Sequence, residues 1–444
     1  MIKQLEKILM PLAEAIGRNK YLVSIRDGFL VSTPLLIAGS IFLLIANFPI
    51  PAWTEWLSSV VINSNTGETL AAFIEKPSGA TFTIMAVFAV VGIAYSFARQ
   101  MKTDKIFGAA VAIMGWFLIM PYTVEGTVEM AGKEIPVSLT GIPTGWVGAK
   151  GIFVGIICAF VAVHIYSWVE KKGWVIKMPA GVPDVVSKSF SALIPGITIL
   201  AFFGMVLKVI EITGLGSLNA ILAVVIGKPL GLIAGTLPGT FVAVFLNSLL
   251  WFCGVNGGQV VGAVMNPLWI QYADANRIAQ MAGEALPNIV TAPFMDLFVY
   301  IGGGGATIGL ALCLMFFSKS KAYKTLGKVS GIPALFNINT AILFTFPTVL
   351  NPIMLIPFVL TPVVNAIITY LAMMTNLVPY TTGVTLPWTT PPIIGGFLAT
   401  GSWRGAVLQI VLVAVSFMIY FPFFKAADKR NLEKESVKKE GADK

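Results

Sequence analysis

The chain has 444 residues, 56% of them hydrophobic and only 11% charged, with a mean hydropathy of +0.84 and a formal net charge of +9. Soluble domains carry roughly a quarter charged residues, so the composition excludes a soluble globular enzyme and predicts an all-α polytopic membrane protein. The 30 basic and 21 acidic residues lie mostly in short loops, a pattern that fits the positive-inside rule and not nucleic-acid binding.

In chain order, residues 1–27 predict an amphipathic interfacial helix. Leu5, Ile8, Leu9, Leu12 and Ile16 recur at helical spacing beside Lys3, Lys7, Arg18 and Lys20. Apolar runs follow at 28–50, 79–98, 105–122, 151–169 and 189–212, each close to the ~20 residues that cross a bilayer core. Arg99, Lys102 and Lys105 form one basic loop, and Lys171, Lys172, Lys177 and Lys188 form the next. The intervening stretches 51–78 and 123–150 hold only Lys76, Lys133 and Lys150. That alternation predicts a multi-pass protein of the inner (plasma) membrane with both termini cytoplasmic. Alternation around Ala131-Gly132 predicts an external β-hairpin over 123–139.

A composition shift at 213–233 predicts a linker between a regular half, 28–212, and a less regular half, 234–424. Apolar runs near 236–255, 296–318, 341–360, 361–375 and 405–424 bring the expected total to about ten spans. Gly254–Asn266 and Tyr380–Gly401 are too rich in Gly, Pro and Asn for simple spans and predict re-entrant hairpins. Irregular backbone at membrane depth is tolerated only where it is buried in protein or lines a cavity, and in transporters it marks the substrate site. The charged segment 425–444 reads as a disordered cytoplasmic tail.

Ionisable groups at membrane depth are few. His164 reads as a packed or interfacial residue; a proton relay is the sharper alternative. Asp296 is either functional, because a buried charge is costly unless paired or wet, or a helix cap. The sequence shows no Walker loop, carboxylate pair or zinc spacing, and Cys158, Cys253 and Cys313 stand apart in apolar sequence; neither metal nor cofactor is expected. Neutral polar groups are plentiful in the irregular half. Amides and hydroxyls beside an aromatic platform are what a sugar needs, because its hydroxyls want hydrogen bonds and its C–H face stacks on a ring. Trp388, flanked by Pro387 and Pro391, is the best platform; Asn256, Gln259, Asn337, Asn339 and Thr340 are the accompanying candidates.

Asn337-Ile-Asn339 followed by Pro347 and Asn351-Pro352-Ile-Met resembles the sugar permeases, enzyme IIC, of the bacterial phosphotransferase system. The likeness is to the lactose, cellobiose and diacetylchitobiose group. Asn288-Ile-Val-Thr-Ala-Pro-Phe-Met-Asp-Leu-Phe-Val-Tyr-Ile-Gly-Gly303, Lys321–Gly327, Leu386-Pro-Trp-Thr-Thr-Pro-Pro and Trp403-Arg404-Gly-Ala carry it through to about Phe424. The resemblance implies a homodimer held by an N-terminal interface domain (28–212). A transport domain (234–424) would carry a disaccharide by an elevator-like movement, and a separate phosphorylated IIB subunit would phosphorylate it. Two positions depart from the family pattern. Its Asn-Glu-Pro is Asn339-Thr340-Ala341 here, and its Gly-x-His-Gly is Gly254-Val-Asn256-Gly; Thr345 also stands where the pattern has glycine. Both losses remove an ionisable group and keep a hydrogen-bonding one. Uncoupled or secondary sugar transport, and a sugar-sensing membrane receptor, are the rival readings.

Overall fold

The computed structural model describes residues 19–130, 133–179, 181–213, 217–222, 225, 228–252, 256–346, 348 and 351–442. Most of the predicted interfacial helix, 1–18, lies outside them. In chain order the helices are α1 (Lys20–Ala46), α2 (Pro51–Ser59), α3 (Leu70–Phe82), α4 (Met85–Met101), α5 (Lys105–Leu118), α6 (Thr144–Val147), α7 (Ile152–Lys171), α8 (Asp184–Ser191) and α9 (Leu193–Thr213). They continue with α10 (Leu218–Leu222), α11 (Lys228–Ala234), α12 (Leu237–Phe252), α13 (Gly257–Met281), α14 (Ile308–Phe317), α15 (Lys321–Leu335), α16 (Thr340–Thr345), α17 (Pro352–Met374), α18 (Ile394–Thr400) and α19 (Trp403–Ala442). Among the described residues, six helical stretches are long and apolar enough to cross a membrane: Lys20–Ala46, Leu70–Met101, Ala149–Lys171, Asp184–Thr213, Met354–Met374 and Trp403–Ser436. Three shorter apolar helices, α5, α12 and α14, accompany them.

The chain forms two compact units, one of Arg18–Gly39 with Glu75–Gly231 and one of Ser40–Ile74 with Leu232–Lys444. In the first, α4, α5, α7 and α9 pack together. Small residues permit this: a Cβ added to Gly92 would lie 2.9 Å from the Gly28 Cα, so α1 and α4 cross glycine on glycine. Asp104 caps α5, accepting from Ile106 N and Phe107 N at 3.0 Å each. His164 takes the blander of its two readings. It hydrogen-bonds Tyr21 Oη at 3.2 Å and Phe160 O at 2.8 Å, and it stacks on Tyr21. The predicted hairpin forms, Thr123–Met130 pairing with Lys133–Thr140; its turn at 131–132 lies outside the described residues.

The second unit carries the irregular segments. Its core gathers Leu310, Leu314, Tyr323, Ile342, Phe346, Met354, Tyr420 and Phe424 from α14–α17 and α19. Three sequence expectations change here. The two runs at 341–360 and 361–375 are instead one short helix, α16, and one long helix, α17, which continues through Pro357 and Pro362. Thr361 Oγ1 donates back to the Pro357 carbonyl, four residues earlier on the same helix, at 2.6 Å. The run at 296–318 is broken into a π-helix (Phe294–Val299), a glycine loop and α14.

The charged tail is the third: α19 stays helical as far as Ala442. Its extension is held because Asp428 accepts from Lys319 N (2.9 Å) and Ser320 N (3.1 Å), while Glu435 accepts from Lys321 N, Ala322 N and Ser320 Oγ. These carboxylates satisfy the orphan amides at the start of α15. Composition alone cannot reveal a partner more than a hundred residues away.

Candidate functional site

The predicted site residues all lie in the second unit, around a loop at 300–307. Gly302, Gly303 and Gly305 adopt φ of +85°, +87° and +79°, the left-handed region that glycine enters without strain. A Cβ at Gly303 would meet Asn337 O at 2.6 Å, and one at Gly305 would meet the Phe358 ring at 2.2 Å. Side chains from elsewhere in the unit fix the loop's backbone. Asn337 Oδ1 accepts from Gly302 N (2.6 Å), and Asn339 Nδ2 donates to Gly304 O (2.8 Å) and Thr307 Oγ1 (2.9 Å). From α19, Tyr420 Oη donates to Gly305 O (2.7 Å) and Ser416 Oγ to Ala306 O (2.8 Å).

Asn337 also reaches the Trp388 segment, its Nδ2 donating to Trp388 O at 2.6 Å and Thr390 O at 3.2 Å. The amide is 5% exposed and engaged on both sides. It therefore joins the glycine loop to the Trp388 loop, and its polar atoms are occupied by backbone. The Trp388 ring itself is 52% exposed, as a stacking platform must be. A turn in which Thr390 N and Oγ1 donate to Pro387 O (2.9 and 2.6 Å) sets its backbone. Beyond it Ile393 has φ +78°, a strained value for a β-branched residue. Gln409 secures this corner: its Oε1 accepts from Ile393 N and Gly396 N, and its Nε2 donates to Leu297 O, all at 2.6 Å.

On the other flank Asn256 is the N-cap of α13, its Oδ1 accepting from Gln259 N at 3.0 Å. The cap engages one lone pair of the carbonyl oxygen, and among the described residues nothing accepts from the Asn256 NH2. Gln259 stands exposed in the first turn of α13. Thr340, at the start of α16, is exposed, and among the described residues nothing hydrogen-bonds to its hydroxyl. Asn339 is only 7% exposed, with its NH2 given to the loop.

The structure adds Trp251. A Cβ on Gly304 would come within 3.0 Å of its Nε1, and one on Gly258 within 3.9 Å of Nε1 and 3.4 Å of Asn256 Oδ1. Nothing in the sequence signals this residue, because Leu-Leu-Trp-Phe reads as ordinary apolar helix and its glycine neighbours are distant in sequence. Asp296 is exposed on the π-helix and is not a cap; that helix is preceded by Pro293. A separate cavity of about 470 Å³ in the same unit, lined by Asn47, Glu55, Arg277, Gln280 and Tyr380 among others, holds none of the predicted residues.

Long apolar helices define a multi-pass membrane protein, and its broken segments present exposed tryptophan, hydroxyl and amide groups. Comparison with known proteins gives the family. The profile described as "Phosphotransferase system, EIIC" matches residues 26–362. The lichenan permease IIC component of Bacillus subtilis (strain 168) is 43% identical over 97% of this chain and 94% of its own length. The PTS system cellobiose-specific EIIC component of Geobacillus stearothermophilus is 43% identical, over 98% of this chain and 96% of its own. Among solved structures, ChbC, the IIC component from the N,N'-diacetylchitobiose-specific phosphotransferase system, superposes with a TM-score of 0.92 at 38% identity, covering 97% of this chain and 99% of that one. The chain belongs to the phosphotransferase system EIIC family. It is a membrane permease component of a sugar phosphotransferase system.

Proposed function

We propose that this permease takes a β-linked disaccharide of the cellobiose or N,N'-diacetylchitobiose type, bound beside the glycine loop with one ring stacked on Trp388. The observation that carries the reading is the 52% exposed Trp388 ring, held rigidly between prolines by the Asn337 amide. Trp251 on the other flank of the loop offers a second aromatic surface, which suits two rings better than one. Thr340 and the Asn256 amide supply hydrogen bonds, Asn339 and Asn337 hold the loop and the Trp388 carbonyl, and Gln259 lies at the α13 end of the cleft. The names of the relatives support this choice of sugars, since lichenan, cellobiose and diacetylchitobiose all describe β-linked glycans.

Residues 234–424 act in this reading as the transport domain, moving the sugar by an elevator-type displacement, and 28–212, apart from the 40–74 segment that belongs to the second unit, as the interface domain of a homodimer. A separate IIB subunit supplies the phosphoryl group; the lactose-specific EIICB relative from Staphylococcus aureus (strain COL), of which this chain covers 74%, combines both components in its name. One observation favours a second reading, uncoupled sugar transport: Thr340 and Asn256 cannot exchange protons near neutral pH.

Purified protein should bind cellobiose or N,N'-diacetylchitobiose, and Trp388→Ala should weaken that binding by about 1–3 kcal/mol while the fold persists. Isothermal calorimetry is the measurement; equal affinity in a well-folded variant removes Trp388 from the site. Both termini are proposed to be cytoplasmic, because 23 of the 30 Lys and Arg lie in 99–105, 170–188, 319–328 and the two terminal segments. Impermeant thiol reagent applied to intact cells should label Val61→Cys and Leu139→Cys but not the exposed position of Lys324→Cys. Labelling of the last from outside would reverse the topology.

A further inference from the structure

The cavity of about 470 Å³ in the second unit is not used by the site described above. Its walls come from the ends of helices. Residues between Leu43 and Glu55 carry it across the end of α1 into α2, Arg277, Gln280 and Met281 close α13, and Leu398 to Gly401 lead to Trp403, where α19 begins. With both termini cytoplasmic, the end of α1 and the start of α19 lie at the outer side of the membrane. The cavity is therefore at the side from which a sugar arrives.

Hydrogen bonds fix these walls. Asn276 is fully buried; its Nδ2 donates to Asn288 O and Thr381 O at 2.8 Å each, and its Oδ1 accepts from Asn288 N at 2.9 Å. Thr382 N donates to Ala399 O at 2.8 Å, which pins the stretch around Thr382 to α18. Arg277, 8% exposed, lines the cavity. Its charge is matched by Asp274, whose Oδ1 accepts from Nε at 2.9 Å and from Nη2 at 2.7 Å.

The lining chemistry selects the ligand. Among the described residues the charged groups on the wall are Glu55 and Arg277, and the arginine is already balanced. An anion would meet Glu55 opposite a cation spent on Asp274. The remaining polar surface is neutral, with amides at Asn47 and Gln280 and hydroxyls at Thr54 and Thr382. Phe48 and Tyr380, both half-buried, add ring faces. Amides, hydroxyls, a carboxylate acceptor and aromatic rings suit an uncharged sugar, and the volume falls within the roughly 300–1,000 Å³ of small-molecule sites. Thr382 and Val384 belong to the same stretch of chain that continues to Trp388. We propose that this cavity is an entry site, open to the outside, that takes the uncharged β-linked disaccharide before it reaches Trp388. This rests on the disaccharide reading and the topology above.

The test uses the full-length chain in intact cells lacking a IIB subunit, with Gln280→Cys on the exposed wall of the cavity. An impermeant thiosulfonate should label it above the level of the unsubstituted chain. External cellobiose at about nine times its dissociation constant should slow that labelling to about a tenth. Asn47→Cys takes its place if Gln280→Cys does not reach the membrane. Adding Trp388→Ala separates local protection from protection transmitted by the transport site. An entry site keeps the same half-protecting concentration with and without Trp388; a shift matching the affinity that Trp388→Ala loses by calorimetry overturns the proposal. Should calorimetry show no such loss, Glu55→Gln replaces Trp388→Ala: half-protection should then need about tenfold more cellobiose, since a charge-assisted acceptor is gone, and an unchanged value overturns the proposal. Absence of external labelling, or labelling unaffected by cellobiose, overturns it as well. Purified wild-type protein that binds no disaccharide defeats the sugar reading itself, whereas calorimetric binding without protection removes the entry site alone.

Discussion

Gln409→Ala is expected to cost about 3–5 kcal/mol and to abolish measurable sugar binding, although Gln409 is only 1% exposed. The substitution removes three hydrogen bonds of 2.6 Å and leaves the N–H groups of Ile393 and Gly396 and the carbonyl of Leu297 without partners. Each orphaned buried group costs about 1–3 kcal/mol. The strain at Ile393 persists only while its surroundings enforce it, so losing the staple frees the corner and with it the backbone that aims Trp388. Gln409→Glu separates the terms: it retains an acceptor for Ile393 and Gly396 but cannot donate to Leu297 while ionised, and should fall between wild type and alanine. The readouts are the melting temperature in detergent and cellobiose affinity by calorimetry. Wild-type values for Gln409→Ala in both would refute the staple.

The second large effect concerns phosphorylation. Thr340 and Asn256 stand where the family pattern has a glutamate and a histidine, so sugar binding should vary little between pH 5 and 8, the interval in which a histidine near its usual pKa of about 6.5 would titrate. General acid–base assistance is worth typically 10²–10⁴-fold. Thr340→Glu combined with Asn256→His should therefore raise IIB-dependent sugar phosphorylation by about two orders of magnitude and introduce pH dependence. Both positions are well placed for the exchange. The Thr340 hydroxyl is exposed and unpartnered among the described residues, and a histidine at 256 loses only the cap to Gln259 N, about 1 kcal/mol. Membrane vesicles supplied with phosphorylated IIB and labelled cellobiose provide the assay. Robust phosphorylation by the unmodified chain, unchanged by the double substitution, would show that these positions do not set the coupling.

Much of this was legible in the sequence because the signals were local. The hairpin at 123–140 followed from alternation about Ala131-Gly132, and the broken stretch around Trp388 followed from its prolines. Asn337 and Asn339 stood out, but whether an amide faces a ligand or a backbone depends on Gly302, Gly304 and Trp388, which no spacing within 337–339 can reveal. Trp251 and Gln409 were illegible for the same reason. One sits in an apolar run, the other in an apolar helix, and both gain their roles from residues dozens to more than a hundred positions away. The charged tail misled because charge density reports solvation, whereas Asp428 and Glu435 use their charge on the amides of 319–322.

The glycine loop at 302–305 has its Gly302 N–H held by Asn337 and its Gly304 and Gly305 carbonyls by Asn339 and by Tyr420 of α19, and on the proposed reading these are not the groups left open to a sugar. Frame and recognition surface are thus different residues. On that reading an arriving sugar would meet a backbone already ordered, so little conformational entropy would remain to be lost on association. Selectivity between sugars then resides in exposed side chains that can be exchanged one at a time, and such a permease can acquire a new substrate without rebuilding the scaffold that carries it.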